Sequence, residues 1–415
     1  MAAAKLTENL EVFANGLRFE NPFVLASAPP TATGDLIRNA FEAGWAGAVT
    51  KTIKDEDVTS SNVSPRFNVL WSNTTVIGFE NIEMVSEEPI LYWLQEIKDI
   101  KKEYPTKILI ASIMGAAGVE SWQSIARKTA GAGADALELN FSCPNGVTAQ
   151  GLGSAIGQDN DIIRIITKGV KEVVNIPVIV KLTPNVTSIA SAAKAAVDGG
   201  ADGLCAINTV LSLVGIDIET LTPLPNVGGY STYGGLSGSC VKPIGLRCVA
   251  EIAKEVKTPA NNGHINNISI HAVGGISTWK DSVEYIAVGA DVIQICTEVM
   301  LKGISIIDKL KSGLAAYMKR KKIEALSDIC GAALPKIVTH GQLSRKYKAP
   351  ARIDYSKCKS CKSCITICKE SGANAIYAVD SLVAIDRDKC YGCTLCSFIC
   401  PTRAIYIAGG FEHEL

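Results

Sequence analysis

The chain has 415 residues, with 41 Lys and Arg against 41 Asp and Glu. A net charge of zero leaves no basic footprint for nucleic acid or an anionic membrane, and 47% hydrophobic with 20% charged residues excludes a disordered chain. No apolar run approaches the roughly 18 residues that span a bilayer, and the start, MAAAKLTENLEVFANG, turns polar too early for a signal peptide, so a cytoplasmic protein is expected.

Short apolar runs alternate with amphipathic, helix-like stretches as far as about residue 310. In chain order the expected strands are 23–27, 46–51, 108–113, 135–140, 178–182, 202–207, 268–273 and 291–296. Each is short, rich in β-branched residues and bounded by Gly, Pro or Asp, as buried parallel strands are. Gly-Ala-Asp opens three of them, at 133–135, 200–202 and 289–291. Eight strands separated by helices predict an α/β fold, a (β/α)8 TIM barrel over residues 1–310, with an open doubly wound sheet as the alternative. Barrel sites form at the C-terminal ends of strands, where the sequence places Ser27, Lys51, Asn140–Cys143, Lys181, Asn208–Thr209, Gly274–Gly275 and Cys296–Thr297. Two long connections, 51–107 and 209–267, interrupt the pattern, and such connections in compact domains are usually functional. A helical linker over 311–350 then leads into a cysteine-rich module over 351–415.

Eight of the 14 cysteines fall in that module, in two runs with C-x2-C-x2-C-x3-C spacing. A disulfide scaffold would be short and secreted, so these cysteines are read as metal ligands in a reducing compartment. The spacing is that of a bacterial two-cluster ferredoxin, in which the fourth cysteine of each run serves the other cluster. Cys358, Cys361, Cys364 and Cys400 are therefore assigned to one [4Fe–4S] cluster, and Cys390, Cys393, Cys396 and Cys368 to the second. Zinc is the alternative, but it favours paired CxxC knuckles. Lys369 follows Cys368 where a simple ferredoxin usually has Pro, whereas Pro401 follows Cys400.

Clusters move single electrons, and a flavin converts these to two-electron chemistry. Val273-Gly274-Gly275-Ile276 after the seventh strand and Cys296-Thr297 after the eighth suit the phosphate of FMN, with Ser237-Gly238-Ser239 as further donors. The run Gly151–Gly157 imitates a dinucleotide fingerprint but lacks its spacing and its preceding strand, and no NAD site is found.

The stretches ELNFSCPNG (138–146), KLTPN (181–185), INTV (207–210), YGGLSGSCVKP (233–243) and VGGI (273–276) resemble the dihydroorotate/dihydropyrimidine dehydrogenase superfamily. With the ferredoxin module attached, the chain is similar to the catalytic FMN/iron–sulfur subunits of bacterial NAD-dependent dihydropyrimidine dehydrogenases. The resemblance implies interconversion of uracil or thymine with the 5,6-dihydropyrimidine. Hydride would be exchanged with FMN N5, and a proton with Cys143 as general acid/base. It further implies pyrimidine binding by Asn81, Glu83, Asn140, Asn208 and Thr209. FMN binding would fall to Ser27, Lys51, Lys181, Gly238, Val273, Gly274, Gly275, Cys296 and Thr297. Electrons would come from a separate FAD- and NAD-binding subunit in a hetero-oligomer.

The chemistry of the residues agrees. Pyrimidines alternate carbonyl acceptors with N–H donors, Asn supplies both complements, and Glu83 accepts. A free thiol titrates near 8.5, so Cys143 is a proton donor at neutral pH. Cys205, Cys240, Cys248 and Cys330 are read as packing residues, and the four histidines show no ligand spacing. Two other functions compete: dihydroorotate oxidation on the same barrel, against which Glu83 would repel the orotate carboxylate, and a ferredoxin-like electron carrier with a degenerate barrel.

Overall fold

The computed structural model describes residues 10–56, 58, 61–116, 118–141, 154–257, 268–347 and 349–407. It divides into two units, Met1–Lys336 and Ile337–Leu415.

In the first unit eight parallel strands close on themselves. They are β1 (Phe23–Leu25), β2 (Gly47–Val49), β3 (Ile108–Met114), β4 (Ala136–Asn140), β5 (Val178–Lys181), β6 (Gly203–Ala206), β7 (Ser269–Val273) and β8 (Val292–Ile295). Each strand pairs with its successor, β6 with β7 across a long insertion, and β8 returns to β1 through Ile293↔Phe23. The pairing of β2 with β3 through Gly47↔Ile108 completes the ring, which removes the open-sheet alternative. All eight expected strands are present. The helices between them are α1 (Gly34–Ala43), α2 (Ile90–Glu103), α3 (Val119–Gly131), α4 (Asn160–Lys171), α5 (Ile189–Asp198), α6 (Lys242–Val256), α7 (Trp279–Ala287) and α8 (Ile306–Lys321).

The Gly-Ala-Asp repeat has a physical role in this ring. Gly133, Gly200 and Gly289 all have positive φ, which lets the helix end and the chain turn at once into the next strand. The Asp that follows accepts an N–H at the start of the neighbouring strand: Asp135 from Leu109, Asp202 from Val178 and Asp291 from Ile270, each at 2.7 Å. A lysine near the end of the preceding segment then balances each carboxylate: Lys101, Lys171 and Lys257. One three-residue signal thus stops a helix, starts a strand and satisfies a backbone donor at the barrel rim.

Apolar side chains of the helices pack on the outer faces of the strands, with Trp45, Trp93 and Trp122 fully buried. Inside the ring, Val24, Val49, Ile110, Ile179 and Val292 fill the lower layers. An N-terminal hairpin, Val12–Ala14 with Leu17–Phe19, adds Ala14 and Phe19 to that cluster and plugs the N-terminal end. The barrel unit extends past the expected boundary at residue 310. Helix α8 buries Leu314 and Met318 in the core, and Leu326 follows.

The two long connections pair with each other. Strands Phe67–Ser72 and Thr75–Asn81 from the first join Val210–Ser212 and Gly234–Ser237 from the second in one antiparallel sheet. Gly235 lies opposite Asn81, and Ser237 opposite Phe79.

The second unit has two short helices, Ser363–Glu370 and Leu395–Ile399, and two antiparallel pairs, Ala351–Ile353 with Ile405–Ile407 and Ile376–Val379 with Leu382–Ile385. The absence of proline after Cys368 has a visible effect. The first helix runs on to Glu370, whereas the second stops at Ile399 and Cys400, which precedes Pro401, is extended. No helix among the described residues is long and apolar enough to cross a membrane.

Candidate active site

The C-terminal ends of the strands open into a cavity walled on one side by the antiparallel sheet through Phe67, Val76, Phe79 and Leu236. Ser27, Lys51, Asn81, Glu83, Asn140, Lys181, Asn208, Thr209, Gly238, Val273, Gly274, Gly275, Cys296 and Thr297 all line it. Cys143 lies outside the described residues.

The floor is ionic. Lys181, 5% exposed, donates to Glu138 at 3.2 Å, and Glu138 is fully buried. Burial alone pulls against the Lys181 ammonium, but the attraction of Glu138 outweighs it and the pKa is raised. Gln294 donates its amide to the second Glu138 oxygen at 3.2 Å and faces His271 Nδ1 at 3.4 Å. The carboxylate requires a donor, so the amide orientation is fixed and Gln294 Oε1 points elsewhere. That atom is buried and without a hydrogen-bond partner. Beneath it, His271 Nε2 lies 2.7 Å from Asn15 Oδ1, while Asn15 donates its own amide to the Asp202 carbonyl. His271 is therefore the Nε2–H tautomer, neutral, with a pKa lowered to about 3 by burial and by Lys181 and Lys257.

One wall is a chain of neutral polar groups. Asn140 donates to Thr52 at 2.9 Å, Asn208 donates to Asn140 at 3.3 Å, and Thr52 also meets Ser27 at 3.3 Å and Ser112 at 3.0 Å. Asn81 reaches across to the Gly235 carbonyl and so ties the two long connections together. Glu83 is not a bare charge: Lys51 donates to one oxygen and Arg66 approaches the other at 3.4 Å. The expectation that Glu83 repels an orotate carboxylate loses its basis here, because two cations offset one anion. Burial pushes the Cys296 thiol up to about 11 against the pull of Lys51 and Lys181, so it is a neutral thiol rather than a nucleophile.

The donor set fits FMN. Lys51 and Lys181 supply positive charge, Ser27 and Thr297 supply hydroxyls, and the orphaned Gln294 oxygen suits a ring N–H. Gly274 and Gly275, at φ +132° and +73°, line a corner of the cavity with backbone alone. The dinucleotide-like run contributes no such corner in its described part. A Cβ on Gly157 would lie 2.5 Å from the Phe141 carbonyl, so that glycine serves close packing.

The second unit carries two small cavities. Cys358, Cys361, Cys364 and Cys400 line one, and Cys368, Cys390, Cys393 and Cys396 line the other. Backbone N–H groups point at the sulfurs: Ser360 at Cys358 (3.4 Å), Ala404 at Cys400 (3.2 Å), Ala375 at Cys368 (3.3 Å) and Ala351 at Cys390 (3.5 Å). Among the described residues no His, Cys, Asp or Glu side chains converge tightly enough for a single metal ion. Four thiolates around a cavity, each cavity with N–H···S donors, fit a cubane cluster.

Sequence reasoning missed Glu138, Gln294, Thr52 and Ser112, and gave His271 no role. The available signal was a polar side chain inside an apolar strand: Glu in ALELN, Gln in VIQI, His in SIHAV.

Residues 9–318 match the dihydroorotate dehydrogenase family, and residues 351–407 match the 4Fe-4S dicluster domain. The chain is 36% identical over 372 residues to the NAD-dependent dihydropyrimidine dehydrogenase subunit PreA of Escherichia coli K12, covering 89% of this chain and 88% of that one. It is 36% identical over 353 residues to the chloroplastic dihydropyrimidine dehydrogenase (NADP(+)) of Arabidopsis thaliana, covering 84% and 82%. It is also 37% identical over 329 residues to the catalytic subunit of dihydroorotate dehydrogenase B (NAD(+)) of Pyrococcus horikoshii, covering 78% and 98%.

Proposed function

The chain belongs to the dihydroorotate dehydrogenase family, and from that premise we propose that it interconverts uracil or thymine with the 5,6-dihydropyrimidine. It is an FMN and iron–sulfur oxidoreductase acting on dihydropyrimidines. One observation carries this reading over dihydroorotate oxidation. The alignment to the Escherichia coli subunit spans 372 residues, more than the first unit, Met1–Lys336, can supply, whereas that to the Pyrococcus subunit spans 329.

When bound, FMN supplies hydride exchange and the division of an electron pair into single electrons. The chain's own groups do the rest. Asn81, Asn140 and Asn208 present amides to the alternating donors and acceptors of the base. Glu83, held by Lys51 and Arg66, accepts a ring N–H. Lys181, fixed by Glu138, keeps a positive charge at the floor of the cavity and would offset negative charge on a bound flavin. Cys143 holds the proton exchanged with the substrate. The two sets of four cysteines would hold the clusters, which would supply one-electron transfer.

The Escherichia coli relative is by name a subunit of an NAD-dependent enzyme, which supports a separate FAD- and NAD-binding partner here. A reducing cytoplasmic setting suits the thirteen cysteines among the described residues, all of them unbridged.

The test is a pair of dye-linked assays of the anaerobically prepared chain, with a reduced dye as donor for uracil and thymine and an oxidised dye as acceptor for 5,6-dihydrouracil and dihydroorotate. Turnover of the first three, with dihydroorotate at least tenfold slower in kcat/KM, is expected. Preference for dihydroorotate would replace this reading with its alternative.

A further inference from the structure

The two cysteine runs are an internal repeat with an offset of 32 residues, Cys358 matching Cys390 and Cys364 matching Cys396. Their loops have the same backbone. Positive φ recurs at Ser360 and Gly392, 52° and 71°, and again at Lys362 and Thr394, 62° and 67°. What differs is the side chains. Lys359 and Lys362 line the cavity of the first run, and their counterparts at the second cavity are Tyr391 and Thr394.

The sulfur contacts differ in the same sense. Each cavity has two backbone N–H···S donors, as described above. The first adds hydroxyls: Ser363 Oγ lies 3.6 Å from Cys361 Sγ and Thr402 Oγ1 lies 3.7 Å from Cys400 Sγ. In the second repeat, the position of Ser363 is taken by Leu395.

We propose that these differences make the two clusters unequal, the cluster held by Cys358, Cys361, Cys364 and Cys400 having the higher reduction potential. The inference rests on the reading of the eight cysteines as ligands of two [4Fe–4S] clusters. Reduction adds one electron and so one negative charge to a cluster with its four thiolates. Nearby cations and hydrogen bonds to sulfur stabilise the more negative state, and these are among the factors that set cluster potentials. Lys359 and Lys362 are the cations, and both are exposed. Their effect therefore falls with ionic strength, because the Debye length shortens from about 10 Å at 0.1 M to about 3 Å at 1 M salt. Electrons entering the chain one at a time settle first on the lysine-flanked cluster and occupy the second only afterwards.

The test is an EPR-monitored redox titration of the anaerobically prepared full chain, with iron and acid-labile sulfide counted on the same sample. Two separate one-electron reductions are expected, drawing together as salt is raised. Lys359→Tyr with Lys362→Thr, which copies the second repeat into the first, lowers the upper midpoint and leaves the lower one in place. The milder pair Lys359→Gln with Lys362→Gln gives a shift in the same direction, and serves if the first fails to assemble. Tyr391→Lys with Thr394→Lys raises the lower midpoint. An upper midpoint unmoved in a lysine variant that retains its iron, or a lower midpoint that moves instead, overturns the assignment. A single unresolved reduction step in the unmodified chain does so as well. Iron well short of two clusters overturns the cluster reading itself, which keeps the two failures apart.

Discussion

Lys181, Glu138, Gln294, His271 and Asn15 descend from the floor of the cavity through the barrel interior, and only the first was legible as a site residue. Lys181 ends its strand, where barrel chemistry is sought. The others lie mid-strand or below, with both faces of the strand buried, so a polar side chain there reads as an interruption rather than a signal. Glu138 gains its meaning only in three dimensions, as the counter-charge that allows an ammonium to be held at 5% exposure. Removing one member of such a buried pair typically costs 3–5 kcal/mol. His271 makes this layer pH-sensitive. Its folded pKa of about 3 lies below the ordinary 6.5, so the unfolded chain takes up a proton that the folded chain refuses. The stability it permits is complete above pH 6.5 and is lost as pH falls toward 3. At about 1.4 kcal/mol per unit, the loss between pH 6.5 and 5 is about 2 kcal/mol. Urea midpoints at pH 7 and pH 5 should show this difference in the parent chain. His271→Gln, less stable at both values, should lack that part of the pH dependence.

At the scale of elements, every barrel strand could be read from short β-branched runs, and the Gly-Ala-Asp signal marked three strand starts. The pairing of the two long connections could not be read. Gly235 and Asn81 are 154 positions apart, and they meet only because ring closure brings the ends of β2 and β6 to the same mouth. The resulting sheet depends on close backbone approach. Gly238 has φ +101°, and a Cβ on it would lie 2.7 Å from Gly78 Cα. Gly238→Ala strains a left-handed position and pushes the two connections apart. The expected result is loss of FMN retention and a rise of about tenfold or more in the KM for uracil, with the cluster content of the second unit unchanged. Flavin and iron, quantified on the same preparation, check this.

At the scale of the whole molecule, the ferredoxin module was the most legible part, because ligand spacing around a cubane is fixed by covalent reach and survives changes elsewhere. The expected first domain ended at residue 310, whereas the first compact unit runs to Lys336. Substrate choice was less legible. In the proposed reading it turns on how Glu83 is balanced by Lys51 and Arg66, an arrangement made by residues 32 and 17 positions away. The central claim is that pyrimidine chemistry in one unit and cluster chemistry in the other form one electron circuit. The direct measurement reduces the anaerobic chain with dithionite, removes the excess, adds uracil and follows the EPR signal of the reduced clusters. Uracil should discharge that signal, and in Cys143→Ala with equal FMN and iron the discharge should be slower by about 10²–10⁴-fold, the contribution of a positioned proton donor. A signal that persists in the presence of uracil, or that orotate discharges in its place, would contradict the account.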